Sequence, residues 1–430
     1  MARPFYGWVV VAGAFLVLFV AYGTQYAFGV FFAALLDEFG WTRASLAGAF
    51  SFYAFAYCMF GFLAGRVTDR CGPRVVIATG GVFLGAALTG MALVTHLWQP
   101  YVLYGLVAAI GMGSAYVPCN ATVVKWFARR RGLAIGLASS GASVGTFALP
   151  PLAQLLISAV GWRWAYVVFG AGVLIVLNAV ATFMRRDPEA LGLHPDGDSP
   201  SDAGSRTSLA GREAAIPPSG EPDAWPLARV ARTPAFWLLG SAFSATWIPV
   251  FIPLVHRVRW SRDLGFSPLV AASVISATGV GAVVGRLVMG ALSDRIGRRT
   301  VVATAMALQA IAFAAFAVVV GLTALYAIAF LFGYSYGAIS TLFTAIIGDF
   351  FGRAQAGTLV GVLFAIAGSM AAWGPLLAGA LYDATGTYRP AFALAALLNV
   401  LAIGLLLLCR PPRMAGAAAA LGQAASARGR

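Results

Sequence analysis

The ten residues GRVTDRCGPR at Gly65–Arg74 return later in the chain as GALSDRIGRR at Gly290–Arg299, 225 positions further on. The same offset relates Gly40 to Gly265, Gly132 to Gly357, Gly136 to Gly361, Pro150 to Pro375 and Gly161 to Gly386. One register held across so long a stretch is typical of an internal repeat. The chain is therefore predicted to consist of two similar halves in the same orientation.

The composition places both halves in a membrane. Of the 430 residues, 60% are hydrophobic and only 10% are charged, whereas about a quarter of the residues in a soluble domain are charged. We predict twelve apolar spans of bilayer length, at 8–33, 46–64, 75–94, 100–123, 132–158, 164–183, 235–255, 267–292, 301–320, 323–347, 357–381 and 389–409. Because a backbone in lipid must satisfy its own hydrogen bonds, the predicted fold is an all-α membrane protein with twelve transmembrane helices.

The spans divide the chain into four predicted regions. These are an N-terminal six-helix bundle (1–183), a cytoplasmic linker (184–233), a C-terminal six-helix bundle (234–410) and a flexible cytoplasmic tail (411–430). The linker holds eight of the 15 acidic residues in the chain and is rich in Pro, Ser and Gly. This composition predicts a mostly disordered connection.

The net charge of +14 reflects topology. If the N-terminus is cytoplasmic, 22 of the 29 Lys and Arg residues lie in cytoplasmic segments, in agreement with the positive-inside rule. We therefore expect cytoplasmic N- and C-termini, a lipid bilayer as the surroundings and no nucleic-acid partner. The excess of Arg over Lys and the many alanines favour a bacterium of high genomic GC content, and hence a multi-pass protein of the bacterial inner membrane.

The predicted spans lack the acidic and histidine side chains from which an enzyme active site could be built. They hold no Asp, Glu or His. The three histidines, His96, His194 and His256, fall in predicted loops. The four cysteines have neither disulfide nor metal-ligand spacing. Since an enzyme needs a nucleophile, an acid–base pair or a metal cluster, we predict no enzyme activity, no cofactor and no metal site.

Arg286 is the one charged residue inside a predicted span, in the stretch VVGRLVMGAL at Val283–Leu292. The repeat aligns it with Gly61, so the arginine belongs to one half only and is a candidate for function. A charge at a helix centre costs about 2.5–3.5 kcal/mol on insertion scales. The side chain could extend to the cytoplasmic surface, pair with a carbonyl or lie outside a misplaced span. With no carboxylate predicted in the membrane, we favour a role as the anchor of an anionic substrate.

The repeated decapeptide resembles the G-x-x-x-D-R-x-G-R-R loop motif of the major facilitator superfamily. The resemblance implies a gating role for Gly65, Asp69, Arg70 and Gly72, and for Gly290, Asp294, Arg295 and Gly297. In this interpretation the two aspartates end helices and pair with arginines while the cytoplasmic side is closed. The two glycines that follow permit tight turns.

A finer resemblance is to the monocarboxylate porters and the bacterial oxalate:formate antiporters. It rests on YGW at Tyr6–Trp8 and on KWFARRRGLAIGLASSGASVG at Lys125–Gly145. The resemblance implies that Arg286 engages the substrate carboxylate. Ala367 stands where oxalate exchangers have a second cation, and Tyr26 and Ala282 stand where proton-coupled porters have a lysine and an aspartate.

Polar residues on other helices could complete the substrate site. The resemblance implies that helices 1, 4, 7 and 10 line the cavity. Polar residues on the first, fourth and tenth spans are therefore the stronger candidates for substrate contact. The candidates are Tyr22, Gln25, Tyr26, Tyr116, Asn120, Tyr334, Tyr336 and, on the eleventh span, Ser369.

The predicted function is secondary active transport of a small organic anion by alternating access, most simply a monocarboxylate similar to lactate or pyruvate. A coupled proton or a counter-anion is the expected co-substrate, and we expect a monomer. Alternatives are an oxalate/formate-type or other dicarboxylate exchanger, uptake of a larger aromatic anion, drug efflux, or a membrane sensor without transport.

Two local patterns predict helix geometry. The pairs Gly141/Gly145, Gly281/Gly285 and Gly357/Gly361 have the small-xxx-small spacing of closely packed membrane helices. The segment WIPVFIP at Trp247–Pro253 places two prolines in the seventh span. Proline removes a helical hydrogen bond, so we expect a kink there.

Overall fold

A computed structural model describes residues 5–127, 130–194, 227–319, 321–351 and 356–410, which are helical without any strand. Eleven helices in this part of the chain are long and apolar enough to cross a membrane. In chain order they are α1 (Gly7–Phe39), α2 (Arg43–Thr68), α3 (Pro73–Met91), α4 (Trp98–Trp126), α5 (Leu133–Phe183), α6 (Pro234–Asp263), α7 (Pro268–Ser293), α8 (Arg298–Val318), α9 (Leu322–Phe351), α10 (Leu359–Thr385) and α11 (Arg389–Leu408). Most of the predicted linker and the whole tail, 195–226 and 411–430, lie outside the described residues.

The number of helices differs from the predicted twelve because the fifth and sixth spans follow each other without an intervening loop and are counted together as α5. Its 51 residues would extend about 75 Å if straight, more than twice the roughly 30 Å of a hydrocarbon core. The helix is broken at Gly161, where φ is 83° and ψ is 161°. Numbering from α6 onward is therefore one lower than that of the predicted spans.

The internal repeat is visible in the backbone. Gly40, Gly72 and Gly161 have positive φ values of 64°, 81° and 83°, and their partners 225 positions later, Gly265, Gly297 and Gly386, have values of 89°, 90° and 70°. Glycine adopts this conformation without the steric cost that a Cβ atom imposes. Both halves thus turn at matching points, as predicted for Gly72 and Gly297.

Three membrane helices contain irregular segments. In α4 a π-helical stretch covers Tyr101–Ala108, and a turn at Ser114 and Ala115 precedes the last helical part, Tyr116–Trp126. In α6 a 3₁₀ segment at Ile248–Val250 separates Pro234–Trp247 from Phe251–Asp263, which confirms the kink predicted from the prolines. In α10, Ala372 separates Ala356–Ala371 from Trp373–Thr385.

Helix directions define two ends of the bundle. We call the end that holds the α1–α2 turn at Gly40 the distal end, and the end that holds the turns at Gly72 and Gly297 the proximal end. The first half and α6 share one buried apolar cluster, which includes Phe32 of α1 and Leu254 and Val258 of α6. The rest of the second half has its own clusters, around Phe243 and around Phe313.

Glycines bring helix backbones into direct contact within each half. A Cβ atom at Gly141 or Gly145 of α5 would overlap with the carbonyl oxygens of Phe15 or Phe19 on α1. Gly281 and Gly285 of α7 face α9 in the same way, against the carbonyls of Phe330 and Tyr334. These two glycine pairs confirm the predicted close packing, whereas Gly361 of the third pair has open space around it.

We expect Gly145→Val to destabilise the protein strongly. The new side chain would collide with backbone atoms of α1, which cannot rotate away, so the cost should be about 3 kcal/mol or more. Gly136→Val is the matched control on the same helix, because nothing lies within 4 Å of a Cβ atom there. Thermal unfolding of both variants in detergent measures the difference, and equal melting temperatures would contradict this packing.

Candidate anion-binding site

Helices of both halves meet around a small cavity in the centre of the bundle. From the first half it is lined by Tyr26 of α1, and from the second half by α6, α7 and α9, with Val250, Pro253, Leu254, Arg257, Ile275, Thr278, Phe332 and Tyr336. Most of the lining is apolar, and the polar groups are one guanidinium and three hydroxyls. The cavity thus combines an apolar wall with a few polar groups that converge on it.

Arg286 lies on α7, half-buried, on the proximal side of this cavity. The hydroxyls of Tyr22, Tyr26 and Tyr116 lie within electrostatic range of its guanidinium. Among the described residues no carboxylate forms an ion pair with it. The arginine therefore lies near tyrosines of the other half and has a charge that no described acidic side chain balances.

The tyrosines from α1, α4 and α9 form a group between the halves. The rings of Tyr22 and Tyr116 meet edge to face with centroids 6.3 Å apart, and the side chains of Tyr26 and Tyr336 interact across the two halves. Tyr116 is 46% exposed although it faces α1 and α7, so the space between the halves is open at the level of Arg286. Four of the predicted tyrosines and Arg286 are thus brought together.

The remaining predicted residues take different places. Asn120 lies one turn after Tyr116, donates to the Tyr116 carbonyl at 3.0 Å and accepts from Ser139 Oγ at 3.3 Å. Gln25 is buried, and its Nε2 has no hydrogen-bond partner. Tyr334 stacks on Phe330 of its own helix, with ring centroids 6.5 Å apart, on the surface that packs against α7. Ser369 is half-buried on α10 and is not among the residues that line the cavity.

Arg257 was missed in the sequence because the seventh span was predicted to end at residue 255. The structure continues α6 to Asp263, so the prediction that Arg286 is the one charged residue within a span was wrong. Arg257 is only 2% exposed. The signal that could have found it is the helical spacing of the apolar residues Val255 and Val258 on either side of it, which continues the buried face of the helix.

His256 was predicted to lie in a loop and is instead fully buried in α6. Its Nε2 is 2.8 Å from the Pro375 carbonyl and its Nδ1 is 2.9 Å from the Tyr388 hydroxyl. Since a carbonyl only accepts, Nε2 donates. Tyr388 already accepts a hydrogen bond from Arg43 at 2.9 Å, so its own proton points to Nδ1. The network holds a neutral histidine.

Arg43, at the start of α2, joins the halves at the distal end. Its Nη1 lies 2.7 Å from Asp263 of α6, and its guanidinium carbon is 3.5 Å from the Tyr382 ring centroid. Asp383 of α10 accepts hydrogen bonds from the backbone N–H groups of Arg43 and Ala44 at 3.1 and 2.9 Å. A carboxylate at a helix N-terminus compensates the free N–H groups and the helix dipole.

Asp37, near the end of α1, continues this network. It forms ion pairs with Arg259 and with Arg262 of α6, and Arg259 Nε lies 3.2 Å from Asp263. We refer to Asp37, Arg43, Arg259, Arg262, Asp263 and Asp383 as the distal charge network. It closes the distal end, while the opening near Tyr116 lies towards the proximal end.

The repeated motif is only partly described. Gly72 and Gly297 make the expected turns. Arg70 and Arg295 are exposed in the last helical turns, which continue α2 to Cys71 and α7 to Ile296. The side chains of Asp69 and Asp294 lie outside the described residues. Gly65 and Gly290 precede these turns, and open space surrounds a Cβ atom at Gly290.

Comparisons with known proteins agree with this architecture. A sequence profile of the Major Facilitator Superfamily matches residues 14–261 and 238–428. Monocarboxylate transporter 13 of Bos taurus is 28% identical over 395 residues, which cover 91% of this chain and 86% of that protein. Monocarboxylate transporter 12 of Homo sapiens is 28% identical over 90% of this chain and 77% of its own length.

A solved structure shows the same fold. The crystal structure of a bacterial homolog of the human lysosomal transporter Spinster, in an inward-facing and occupied conformation, matches with a TM-score of 0.70. Its sequence identity is 16%, and the match covers 95% of this chain and 97% of that one. The profile spans almost the whole chain, and its two matched ranges cover the two halves of the repeat. The chain therefore belongs to the Major Facilitator Superfamily, a family of multi-pass membrane transporters and not of enzymes.

Proposed function

We propose that the protein is a secondary active transporter of a small organic anion, in the first instance a monocarboxylate, and that Arg286 anchors the carboxylate. The observation that supports this function is a half-buried arginine with no described carboxylate partner, facing the hydroxyls of Tyr22, Tyr26 and Tyr116 from the other half. A guanidinium matches a carboxylate with two parallel hydrogen bonds. The low dielectric of the site strengthens that pairing.

The tyrosines would complete the recognition of the anion. Their hydroxyls can donate to carboxylate oxygens, and Tyr22 and Tyr26 come from the half that does not hold Arg286. A bound anion would therefore contact both halves at once. A substrate that bridges the halves favours the conformation in which they are close, and this is what couples binding to alternating access.

The membrane arrangement follows from the same proposal. We infer twelve crossings, because Gly161 would lie near the distal surface and divide α5 into two spans. The bundles would then be 1–183 and 234–410, joined by a cytoplasmic linker at 184–233 and followed by a cytoplasmic tail at 411–430. Cytoplasmic termini make the proximal end cytoplasmic and the site inward-open, in a monomer of the bacterial inner membrane.

Coupling follows from the cost of an unpaired charge. An empty carrier that closes on both sides would enclose Arg286 without a counter-anion, which is unfavourable in a low dielectric. We therefore propose that the carrier returns most readily when it is loaded, either by exchange for another anion or with a proton that travels as the acid form of the substrate. The repeated motif at Gly65–Gly72 and Gly290–Gly297 would close the cytoplasmic side in the opposite state.

Uptake of labelled lactate into proteoliposomes tests the proposal. We expect saturable uptake above that of protein-free liposomes and competition by unlabelled pyruvate. We also expect uptake to be several-fold faster into vesicles preloaded with lactate than into empty ones. Repeating the measurement with an inward pH gradient separates proton coupling from exchange. If neither lactate nor a panel of other small carboxylates is taken up or competes, the proposed function is wrong.

A further inference from the structure

A second arginine lies buried in the second half, beside the cavity that Tyr26 of the first half also lines, without a carboxylate partner. Arg257 is 2% exposed, and within the described ranges no ion pair reaches it. The described carboxylates are at the ends of the bundle, with Asp37, Glu38, Asp263 and Asp383 distal and Asp187, Glu189 and Asp349 proximal. A fully buried charge without a counter-charge is costly, so its retention points to a ligand.

Only neutral groups surround this guanidinium. Its Nη1 donates to Thr278 Oγ1 and lies 3.5 Å from the Val274 carbonyl. The rings of Phe316 and Phe332 have centroids 5.4 Å from the guanidinium carbon, a separation at which cation–π attraction operates. The Nε atom is buried and has no hydrogen-bond partner. One N–H donor of the guanidinium is thus free. Arg257 is also part of the cavity lining.

Arg257 and Arg286 lie at different depths. Arg257 contacts Thr278, and Arg286 is eight positions further along the same helix, which corresponds to about 12 Å of helical rise. Tyr26 lines the cavity with Arg257 and lies within electrostatic range of Arg286. The cavity at Arg257 therefore lies on the distal side of Arg286, and Tyr26, which lines it, stands near both arginines.

We propose that Arg257 forms a second anion subsite, which binds the second carboxylate of a dicarboxylate whose first carboxylate is bound by Arg286. The inference rests on the proposed role of Arg286 and extends it to a substrate class. A monocarboxylate would neutralise one arginine only. A dicarboxylate would neutralise both, while Tyr26 and Tyr336 contact the chain between the two carboxylates.

Ligand pairs in which the dicarboxylate is the monocarboxylate with one carboxylate group added test the subsite. Binding to the full chain in detergent is measured by calorimetry for acetate and malonate, propionate and succinate, and butyrate and glutarate. We expect at least one dicarboxylate to bind about 10- to 100-fold more tightly than its monocarboxylate partner, the usual gain from a hydrogen bond to a charged group. The chain length with the largest ratio reports the separation of the two subsites.

Substitutions of Arg257 then test whether this residue causes the preference for the dicarboxylate. Arg257→Gln should reduce the affinity for the dicarboxylate to that for its monocarboxylate partner and leave the latter within about threefold, whereas Arg257→Lys should retain part of the preference. If Arg257 had only a structural role, the substitution would lower the affinity for both ligands of a pair equally and leave the ratio of the two affinities unchanged. Arg410→Gln, at an exposed arginine after α11, is the control for loss of one positive charge.

The outcomes separate this inference from the proposed function. Equal affinities within every pair for the wild type, or an unchanged ratio in Arg257→Gln, would overturn the second subsite and leave the Arg286 anchor standing. A normal monocarboxylate affinity in Arg286→Gln, with a ratio that still falls in Arg257→Gln, would overturn the Arg286 anchor and with it the two-arginine site, and would leave Arg257 as an anion site of its own. A wild type that binds none of the six anions would overturn both.

Discussion

Arg286→Gln is expected to abolish saturable uptake of the anion. The substitution removes the two parallel hydrogen bonds and the charge that hold the carboxylate, a loss of about 3 kcal/mol or more in a partly desolvated site, which corresponds to about a 100-fold or larger fall in affinity. Arg286→Lys keeps the charge but presents a point donor in place of the planar fork. We expect it to retain weak transport. Initial uptake rates in proteoliposomes over a range of substrate concentrations measure both.

The same variant should fold at least as well as the wild type. Glutamine has no charge to desolvate, and Arg286 has no described ion pair to lose. Removal of an unpaired charge from a membrane interior is neutral or favourable for stability. We therefore expect an unchanged or higher melting temperature together with lost transport, a combination that a structural role would not produce.

Arg410→Gln is the matched control for Arg286→Gln, because it removes one arginine from an exposed position and should leave uptake unchanged. Normal transport by Arg286→Gln would show that this arginine does not bind the substrate. A large fall in melting temperature would show instead that Arg286 has a structural partner.

Arg43→Ala is expected to open the distal end. The side chain forms the ion pair with Asp263, donates to Tyr388 and covers the Tyr382 ring, so its loss leaves Asp263 without one cation and separates α2 from α10 and α6. Because Asp263 is partly exposed, at 27% of its side chain, solvent offsets some of the cost. A loss of about 2 kcal/mol would change the ratio of distally closed to distally open molecules about 30-fold.

Distances between spin labels measure this change. One pair, at Val160 and Ala384, joins exposed distal positions of the two halves, and a second pair, at Cys71 and Ile296, joins exposed proximal positions. In Arg43→Ala we expect the distal distances to lengthen and the proximal distances to shorten. Arg389→Ala removes an exposed arginine from the same end and should leave both distributions as in the wild type. Unchanged distances in Arg43→Ala would mean that the distal charge network does not hold the closed state.

The buried polar residues of α6 show why sequence patterns reached only part of the site. The seventh span was predicted to end before His256 because HRVRWSRD at His256–Asp263 is polar. The helix continues because its polar residues find partners on other elements, such as Pro375 and Tyr388 for His256 and Asp37 for Arg262. These partners are more than 100 positions away in sequence. A hydropathy profile averages over one segment of the chain at a time and therefore carries no information about partners so distant in sequence.

The sequence by itself determined the architecture. Apolar runs of bilayer length, one repeat offset and glycines at the turns are local properties, and they predicted two similar helical halves and the position of Arg286 within a helix. Only the tertiary structure decided which end is closed, that Arg257 is buried beside Tyr26 and Tyr336, and that Arg43 joins α2 to α6 and α10. The reason is physical: these features arise from contacts between halves, and no spacing along one helix encodes which side chain of the other half will meet it.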